Sequence, residues 1–188
     1  MPNASPIDRG FAEAVRRHFG FLHGLGFNVV SQRGDAARYF SANVSLEIFQ
    51  DRRVGEISME LRNANVGASF LTAEGLSDWS GVDLIPLNAG SRQYTDYAVS
   101  WLAQLLKEHC EAILRGDDAA WREALDRARS AGRRYTIGIA LSQMRSVVPD
   151  LWKSRSYSAL VDLMAPLEAH LRPSELRKLE IARRRSAR

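Results

Sequence analysis

A chain of 188 residues can bury the core of one ordinary domain, so this protein needs neither disulfide nor metal to hold it together. Hydrophobic residues make up 45% of the chain and charged residues 26%, close to globular averages, which excludes a disordered chain, and no apolar run approaches a membrane span. The formal charge of +4 is concentrated at the C-terminus, because residues 172–188 hold seven basic and two acidic residues while the remaining 171 carry a net charge of −1.

The sequence predicts that the protein is kept in a reducing cytoplasm. Cys110 is the single cysteine and cannot form an internal disulfide. No apolar export segment opens the sequence.

The first predicted elements are a helix and a short strand. Pro6-Ile7-Asp8 is typical of a helix start, and apolar residues then recur at helical spacing. Gly24-Leu25-Gly26 ends that helix. Residues 27–32 follow as a first strand, and residues 33–35 as its turn.

A long hairpin comes next. Residues 44–49 and 57–62 each alternate apolar and polar side chains, the period of a strand with one face on a core and one in water. The polar segment 50–56 between them contains the glycine that a reversing loop needs. Residues 66–71 are a candidate fourth strand, so we expect a sheet of three to four strands.

Residues 72–92 are rich in Gly, Ser, Asp and Asn and contain Pro86. Such a long loop in a compact domain is often functional, or it contains short structure that the pattern does not resolve.

The C-terminal half is predicted to be helical. A helical stripe of apolar residues starts near Tyr94, Gly116 is placed to end it, and Asp117 is placed to cap the next helix. Residues 133–148 fit both a strand and a helix; we favour a helix that ends at Pro149.

Two further helices close the chain. One covers residues 156–171 with a kink at Pro166, and the last starts at Pro173 and frays into a basic end. The predicted fold is therefore α+β, with an N-terminal helix, a small antiparallel sheet and a helical half packed on one of its faces. Residues 1–171 form the predicted domain and residues 172–188 a basic helical tail.

Catalytic and metal-binding signatures are not found in the sequence. His18 and His109 lie on apolar helix faces, where core histidines are more common than metal ligands, and Cys110 is predicted to be buried and inert. Glu47 and Glu60 share the polar face of the hairpin, where they could decorate a solvated surface, bind a partner or act as an acid and base. The surface interpretation is favoured, and we predict no catalytic residue, metal or cofactor.

Six residues are predicted to contact a partner protein. Trp101 and Trp121 lie in helical stripes and are expected in the core. The candidate contacts are the charged hairpin tip and two tryptophans that are not easily placed in a core: Asp51, Arg52, Arg53, Glu56, Trp79 and Trp152.

Several short motifs carry a resemblance to a known group of proteins. They are Gly26-Phe27 before the first strand, Val-Ser-Leu-Glu-Ile-Phe at 44–49 turning through Asp51-Arg52-Arg53 into Gly55-Glu56-Ile57, and Leu-Arg-Gly-Asp at 114–117 followed by Trp121. Over about residues 10–130 the chain resembles small uncharacterised bacterial α+β proteins, some of which are immunity proteins of polymorphic toxin systems. The resemblance implies a cytoplasmic protein that binds and blocks one partner protein and has no catalytic residues.

The main prediction is therefore a non-enzymatic protein-binding module, an immunity or accessory protein whose partner could be a toxin. The alternative is a nucleic-acid-associated accessory protein that neutralises phosphates with its basic tail, through Arg177, Lys178, Arg183, Arg184 and Arg185. An enzyme with a site around the hairpin carboxylates is the third hypothesis. The sequence predicts no membrane association and does not indicate an oligomeric state.

Overall fold

A computed structural model of the chain describes residues 6–51, 53–67, 69–85, 87 and 91–186, with the backbone alone for residues 6–9. The chain divides into two compact units, a first unit of Met1–Arg129 and a second unit of Ser130–Arg188. The predicted division into a domain of residues 1–171 and a tail of residues 172–188 is a different one and stays a prediction.

Within its described residues, the first unit contains a helix, five strands and three more helices in chain order. They are α1 (Pro6–His18), β1 (Asn28–Gln32), β2 (Ala36–Ser41), β3 (Val44–Asp51), β4 (Glu56–Asn63), β5 (Phe70–Thr72), α2 (Ala73–Ser80), α3 (Arg92–His109) and α4 (Glu111–Leu114). Short 3-10 turns lie at Gly20–Leu25 and Ala64–Val66. Helix α5 (Asp118–Lys153) starts in this unit and ends in the second, which also contains α6 (Tyr157–Met164), a 3-10 segment (Ala165–His170) and α7 (Pro173–Ser186).

The five strands form one antiparallel sheet whose spatial order is the order of the sequence. The α+β class is confirmed, but the predicted three to four strands are too few. The strand missing from the prediction is β2, which two residues, Ala42 and Asn43, connect to β3. Ala42 has a φ of 37°, a conformation that alanine rarely adopts, so the glycine that usually marks such a hairpin turn is absent.

The core of the first unit lies between one face of the sheet and the helices. From the sheet, Leu46, Ile48, Met59 and Leu61 are fully buried at alternating positions of β3 and β4. Helices α1 and α3 contact each other, and side chains of α1 to α4 and of the start of α5 join the same cluster. One face of the sheet is therefore closed by helices, as the alternating pattern predicts.

Local signals in the sequence explain the connection from α4 to α5. Gly116 has a φ of 76°, which favours glycine, and a Cβ built on it would lie 3.3 Å from Cγ2 of Val44, a tight contact. Oδ1 of Asp117 then accepts hydrogen bonds from the backbone N–H groups of Ala119 (2.9 Å) and Ala120 (2.8 Å). The predicted helix cap at Asp117 is confirmed, but the helix that Gly116 was predicted to end is two helices, because α3 ends at His109 and Gly116 follows the short α4.

Residues 72–92 contain a helix, α2, in the segment predicted as a loop. Oγ1 of Thr72 accepts from the backbone N–H of Gly75 at 3.3 Å and so caps the helix, which ends at Gly81 with a φ of 74°. Leu76 of α2 is fully buried in the core of the first unit. The eight-residue helix is too short for its periodicity to stand out in the sequence.

The second unit has its own small core, formed by the end of α5 with α6 and α7. Its buried residues are Met144, Val148, Leu160, Met164, Leu171, Leu179 and Ala182. The helical interpretation of residues 133–148 is confirmed, but the predicted helix end at Pro149 is wrong, because α5 continues to Lys153. Val148, Leu151 and Trp152, on either side of the proline, all contact this core, and that packing keeps the segment helical despite the lost N–H.

The last predicted helices are present with different bounds. The expected helix over residues 156–171 is α6 followed by the 3-10 segment that contains Pro166. Helix α7 starts at Pro173 as predicted, but it remains helical to Ser186, where a frayed end was expected. Leu179 and Ala182 are fully buried and hold α7 on the core of the second unit.

Candidate functional site

The sheet of the first unit has a second face that carries polar and aromatic side chains. The strand register places Phe40, Ser45, Arg62 and Phe70 in one row across β2 to β5. Arg38, Glu47, Glu60 and Thr72 form the neighbouring row. We call this surface the open face and define it by seven residues of these rows and of β1: Val30, Arg38, Phe40, Glu47, Glu60, Arg62 and Phe70.

Two carboxylates stand opposite each other on the open face. Glu47 of β3 is the register partner of Glu60 of β4, an arrangement that is unfavourable for like charges. Nε of Arg38 lies 2.8 Å from Oε1 of Glu47, and Nη2 of Arg62 lies 2.7 Å from Oε2 of Glu60. Each carboxylate thus has its own arginine partner, Arg38 on the neighbouring strand β2 and Arg62 two residues along β4, which offsets the repulsion between the two.

This geometry also bears on the enzyme hypothesis. The side chains of Glu47 and Glu60 are 33% and 27% exposed, so both reach solvent as well as their arginines. A carboxyl pair that works as an acid and a base needs environments that keep one of the two protonated. Two carboxylates that each carry a guanidinium partner favour a charged surface network instead.

Apolar side chains surround the charged pairs. Phe40 is 47% exposed and Phe70 is 44% exposed, at opposite ends of one row. The guanidinium of Arg62 lies 5.0 Å from the centre of the Phe70 ring, within reach of a cation–π interaction. A shallow depression of about 460 Å³ is lined by Phe40, Arg62 and both carboxylates. Aromatic side chains next to arginine are the composition that protein interfaces favour.

Val30 belongs to this surface because of a β-bulge in β1. Val29 pairs with Tyr39 and Ser31 pairs with Arg38, so Val30 is an extra residue without a register partner. Its side chain is 67% exposed and lines the same depression. Bulges commonly redirect a side chain next to a functional surface.

The predicted hairpin tip, residues 51–56, lies at the end of β3 and β4. Asp51 and Glu56 are the last register pair of the two strands, and Oδ1 of Asp51 accepts from the backbone N–H of Arg53 at 2.8 Å. The Arg53 side chain is almost fully exposed. Arg52 lies outside the described residues. Asp51 therefore helps to shape the turn, while Arg53 and Glu56 are exposed on it.

The two candidate tryptophans belong to different units. Trp79 of α2 is half-buried against the core of the first unit, and its carbonyl oxygen accepts from Nη1 of Arg127 at 2.9 Å. Trp152 of α5 is half-buried in the second unit, with its ring 6.0 Å from that of Tyr157 in an edge-to-face arrangement. Of the other two tryptophans, Trp121 is fully buried as predicted, and Trp101 is partly buried against the same core.

The five basic residues proposed for nucleic acid all lie on α7, but they are not equivalent. Arg183 donates to both carboxylate oxygens of Glu168, at 2.8 and 2.7 Å, and this contact lowers the pKa of Glu168. Lys178 lies 5.9 Å from the centre of the Trp152 ring. Arg185 lies 5.2 Å from the centre of the Tyr157 ring and donates to its hydroxyl. Arg177 and Arg184 are exposed.

Reactive side chains elsewhere are held in structural roles. Cys110 is fully buried as predicted, and burial raises the pKa of its thiol to about 12, so it is not a nucleophile at neutral pH. His18 is partly buried and lies 3.1 Å from Asp96, whose carboxylate also contacts Arg17. His109 was predicted on an apolar face but is exposed at the end of α3, where the turn into α4 leaves it outside the core. Among the residues that the structure describes, no three His, Cys, Asp or Glu side chains form a group that could hold a metal ion.

Sequence reasoning missed the aromatic part of the open face. Arg38 and Phe40 alternate with Ala37 and Tyr39, which is the signal of a half-buried strand, but the unrecognised strand β2 hid it. Phe70 lies in a strand of only three residues, too short to show a period.

The comparisons with known proteins add no further residue. Within the described ranges, no helix combines the length and apolarity needed to cross a membrane. The chain matches no family model, no curated protein and no solved structure in the comparisons made with each. The resemblance to bacterial immunity proteins therefore stays a prediction.

Proposed function

We propose that the chain is a non-enzymatic protein-binding module that contacts one partner protein through the open face of its sheet. The single observation that carries this proposal is the exposure of Phe40 and Phe70 on both sides of the paired arginines and glutamates. Burying the exposed half of each phenylalanine under a partner would contribute about 1 kcal/mol per ring. The two rings are thus the anchors of the interface.

The charged rows supply specificity. Glu47 and Glu60 are already paired with Arg38 and Arg62, so a partner must offer hydrogen-bond groups that fit this fixed pattern of charges. A partner that covers the pairs without matching them would leave desolvated charges and bind poorly. We place the exposed tip residues Arg53 and Glu56 at the polar rim of the same interface.

The biological form that we propose is an immunity or accessory protein that blocks its partner in the cytoplasm. Support comes from the short motifs by which the sequence resembles small bacterial α+β proteins and from the single cysteine, which is buried and cannot form an internal disulfide. The predicted outcome is tight binding to one protein, a toxin in the immunity form, without turnover.

The test is affinity capture with the full-length chain from the cells that produce it. Phe40→Ser with Phe70→Ser removes both anchors, and Tyr94→Ser with Tyr97→Ser removes two exposed aromatics of α3 that are 62% and 56% exposed. We expect the first pair to lose the captured protein or to weaken its binding by about tenfold or more, as anchor truncations do, and the second pair to retain it. Circular dichroism and thermal melting establish that both variants are folded.

Three results would contradict the proposal. Unchanged affinity of the Phe40/Phe70 variant would show that the open face is not the interface. Equal losses in both variants would show that binding does not depend on this face in particular. If Arg53→Glu abolished binding while the Phe40/Phe70 variant bound normally, the interface would belong to the hairpin tip alone and the open face would be rejected.

A further inference from the structure

The positive charge of the chain belongs to the whole second unit and not only to its last residues. Residues 130–188 contain twelve Lys and Arg against five Asp and Glu, a formal charge of +7. Residues 1–129 contain fourteen basic and seventeen acidic residues, a formal charge of −3. A helical unit of 59 residues with this charge has the electrostatic footprint of a polyanion-binding domain.

Two of the five carboxylates of the second unit are neutralised internally. Glu168 is bound by Arg183, and Glu175 accepts from Arg145 at 2.7 and 3.3 Å. Oε2 of Glu175 also accepts from the backbone N–H of Arg172 at the start of α7. Each of these two ion pairs has no net charge. The surplus positive charge of the second unit therefore lies on its other basic residues.

Four of these remaining basic residues lie along α7 in a regular pattern. Leu179 and Ala182 face the core, and Arg177 and Arg184 lie on the opposite, exposed side. Lys178 and Arg185 repeat the same seven-residue spacing beside them, which is two helical turns or about 10.5 Å. We call Arg177, Lys178, Arg184 and Arg185 the basic face.

Two aromatic rings hold half of the basic face in position. Lys178 lies over the ring of Trp152, and Arg185 lies over the ring of Tyr157. The rings contact each other edge to face, so the two cations rest on one connected support from α5 and α6. Long side chains that are already ordered lose less conformational entropy when they bind a phosphate.

We propose that the basic face of α7 binds the phosphate backbone of nucleic acid without reading its sequence. This inference goes beyond the proposed function, because it concerns the second unit and another class of partner. Successive phosphates of a nucleic-acid strand lie closer together than the two ends of the basic face, which are about 10.5 Å apart. The pair Arg177 and Lys178 and the pair Arg184 and Arg185 can therefore each contact a phosphate of the same strand. Glu180, exposed on α7, lies three residues after Arg177 and four before Arg184, so it adjoins both arginines and reduces the positive charge on that side of the face.

The structure favours nucleic acid over a membrane surface. A helix that lies on a membrane buries a broad apolar face in the lipid, with its basic residues beside that face. The apolar side of α7 is instead occupied by the core of the second unit, through Leu179 and Ala182. Ile181 is the large apolar side chain that α7 exposes among its described residues.

The experiment uses the full chain and three probes: a fluorescein-labelled 20-base-pair DNA duplex, a 20-nucleotide single-stranded RNA, and vesicles of phosphatidylcholine with phosphatidylserine. Affinity for each probe is measured by anisotropy or by sedimentation over a series of salt concentrations. The logarithm of the binding constant falls linearly as the logarithm of the salt concentration rises. We expect Arg177→Ala with Arg184→Ala to make this slope less steep by about two, one unit for each lost phosphate contact.

A matched control separates the basic face from net charge. Arg16→Ala with Arg33→Ala removes two exposed arginines of the first unit and changes the net charge of the chain by the same amount. We expect this control to keep the salt slope of the unmodified chain. A salt-dependent loss that is specific to the α7 variant supports the proposal, and the stronger of the DNA and RNA probes identifies the nucleic acid.

Three outcomes would overturn the inference. The first is the absence of binding to either nucleic acid at low salt. The second is an equal change of slope in the α7 variant and the control, which would mean diffuse charge attraction. The third is binding to the vesicles together with none to DNA or RNA, which would assign the basic face to a membrane surface.

Discussion

The first and the second unit differ in the size of their cores and in the kind of surface that they expose. Among the described residues, the first unit buries thirty hydrophobic side chains in one cluster and the second buries seven. The first unit exposes phenylalanines around paired charges on a sheet, and the second exposes arginines on a helix. Apolar anchors need a rigid, well-packed support, whereas phosphate contacts need only a helix that stays folded.

The largest effect is expected from opening the core of the first unit. Trp121 is fully buried, and its Nε1 donates to the carbonyl oxygen of Ile113 at 2.8 Å. Trp121→Ala should lower the free energy of unfolding by about 3–5 kcal/mol, since it leaves a cavity and an unpaired carbonyl. Urea unfolding measures this loss, and Tyr94→Ala on the exposed side of α3 should stay within about 0.5 kcal/mol of the unmodified chain. A small loss for Trp121→Ala would mean that the core is not packed as described.

The next prediction concerns the smaller core. Leu160 of α6 is fully buried among the seven residues of that cluster. Leu160→Ala should cost about 2–5 kcal/mol and should open the second unit before the first. Hydrogen exchange should therefore accelerate in residues 157–186 and not in residues 36–63, while Ile181→Ala, at an exposed position, should change neither. Equal acceleration in both segments would contradict this prediction, because the two units would then unfold together.

A smaller effect is expected at the start of α5. Asp117 caps this helix through hydrogen bonds to the N–H groups of Ala119 and Ala120. Asp117→Ala should lower the free energy of unfolding by about 1 kcal/mol, and Asp117→Asn, which can still accept these bonds, should recover most of it. Thermal melting of the two variants measures the difference, and an asparagine variant as unstable as the alanine one would argue against the cap.

The smallest predicted effect is a pH dependence confined to the second unit. The hydrogen bond from Arg145 lowers the pKa of Glu175, and that from Arg183 lowers the pKa of Glu168, both from an ordinary value of 4.5. Such carboxylates contribute stability that is fully present above pH 4.5 and is lost as the pH falls through their folded-state pKa values. Protection factors of residues 157–186, which correct for the pH dependence of intrinsic amide exchange, should fall with acid in that range, and Glu175→Gln should reduce this dependence. An unchanged acid response in the variant would show that the pair with Arg145 does not contribute.

The sequence predicted best the elements in which the periodic pattern of apolar residues repeats several times. Helix α3 and the β3–β4 hairpin repeat their apolar positions often enough to fix type and buried face, and Gly116 and Asp117 mark a helix boundary by required chemistry. Some shorter elements were not predicted, and the reason is physical. Strand β2 is joined to β3 by a turn without glycine, so its alternation was not recognised as a separate strand, and α2 has only two helical turns.

The site was predicted less well than the fold. Its charged residues Glu47 and Glu60 could be placed on one face of a hairpin from alternation alone. Phe40, Phe70 and Val30 join them through strand pairing and a bulge, which depend on contacts between distant segments. In the second unit the basic residues were found by counting charge, but the support of Lys178 and Arg185 by Trp152 and Tyr157 requires the packed helices.

The most direct test of the account is to measure both kinds of binding on the same two variants. Phe40→Ser with Phe70→Ser should lose the captured partner protein and keep the nucleic-acid affinity of the unmodified chain. Arg177→Ala with Arg184→Ala should keep the partner protein and lose nucleic-acid affinity with a reduced salt slope. If either variant lost both activities while remaining folded, or if the two losses were exchanged, the assignment of a separate binding surface to each unit would be contradicted.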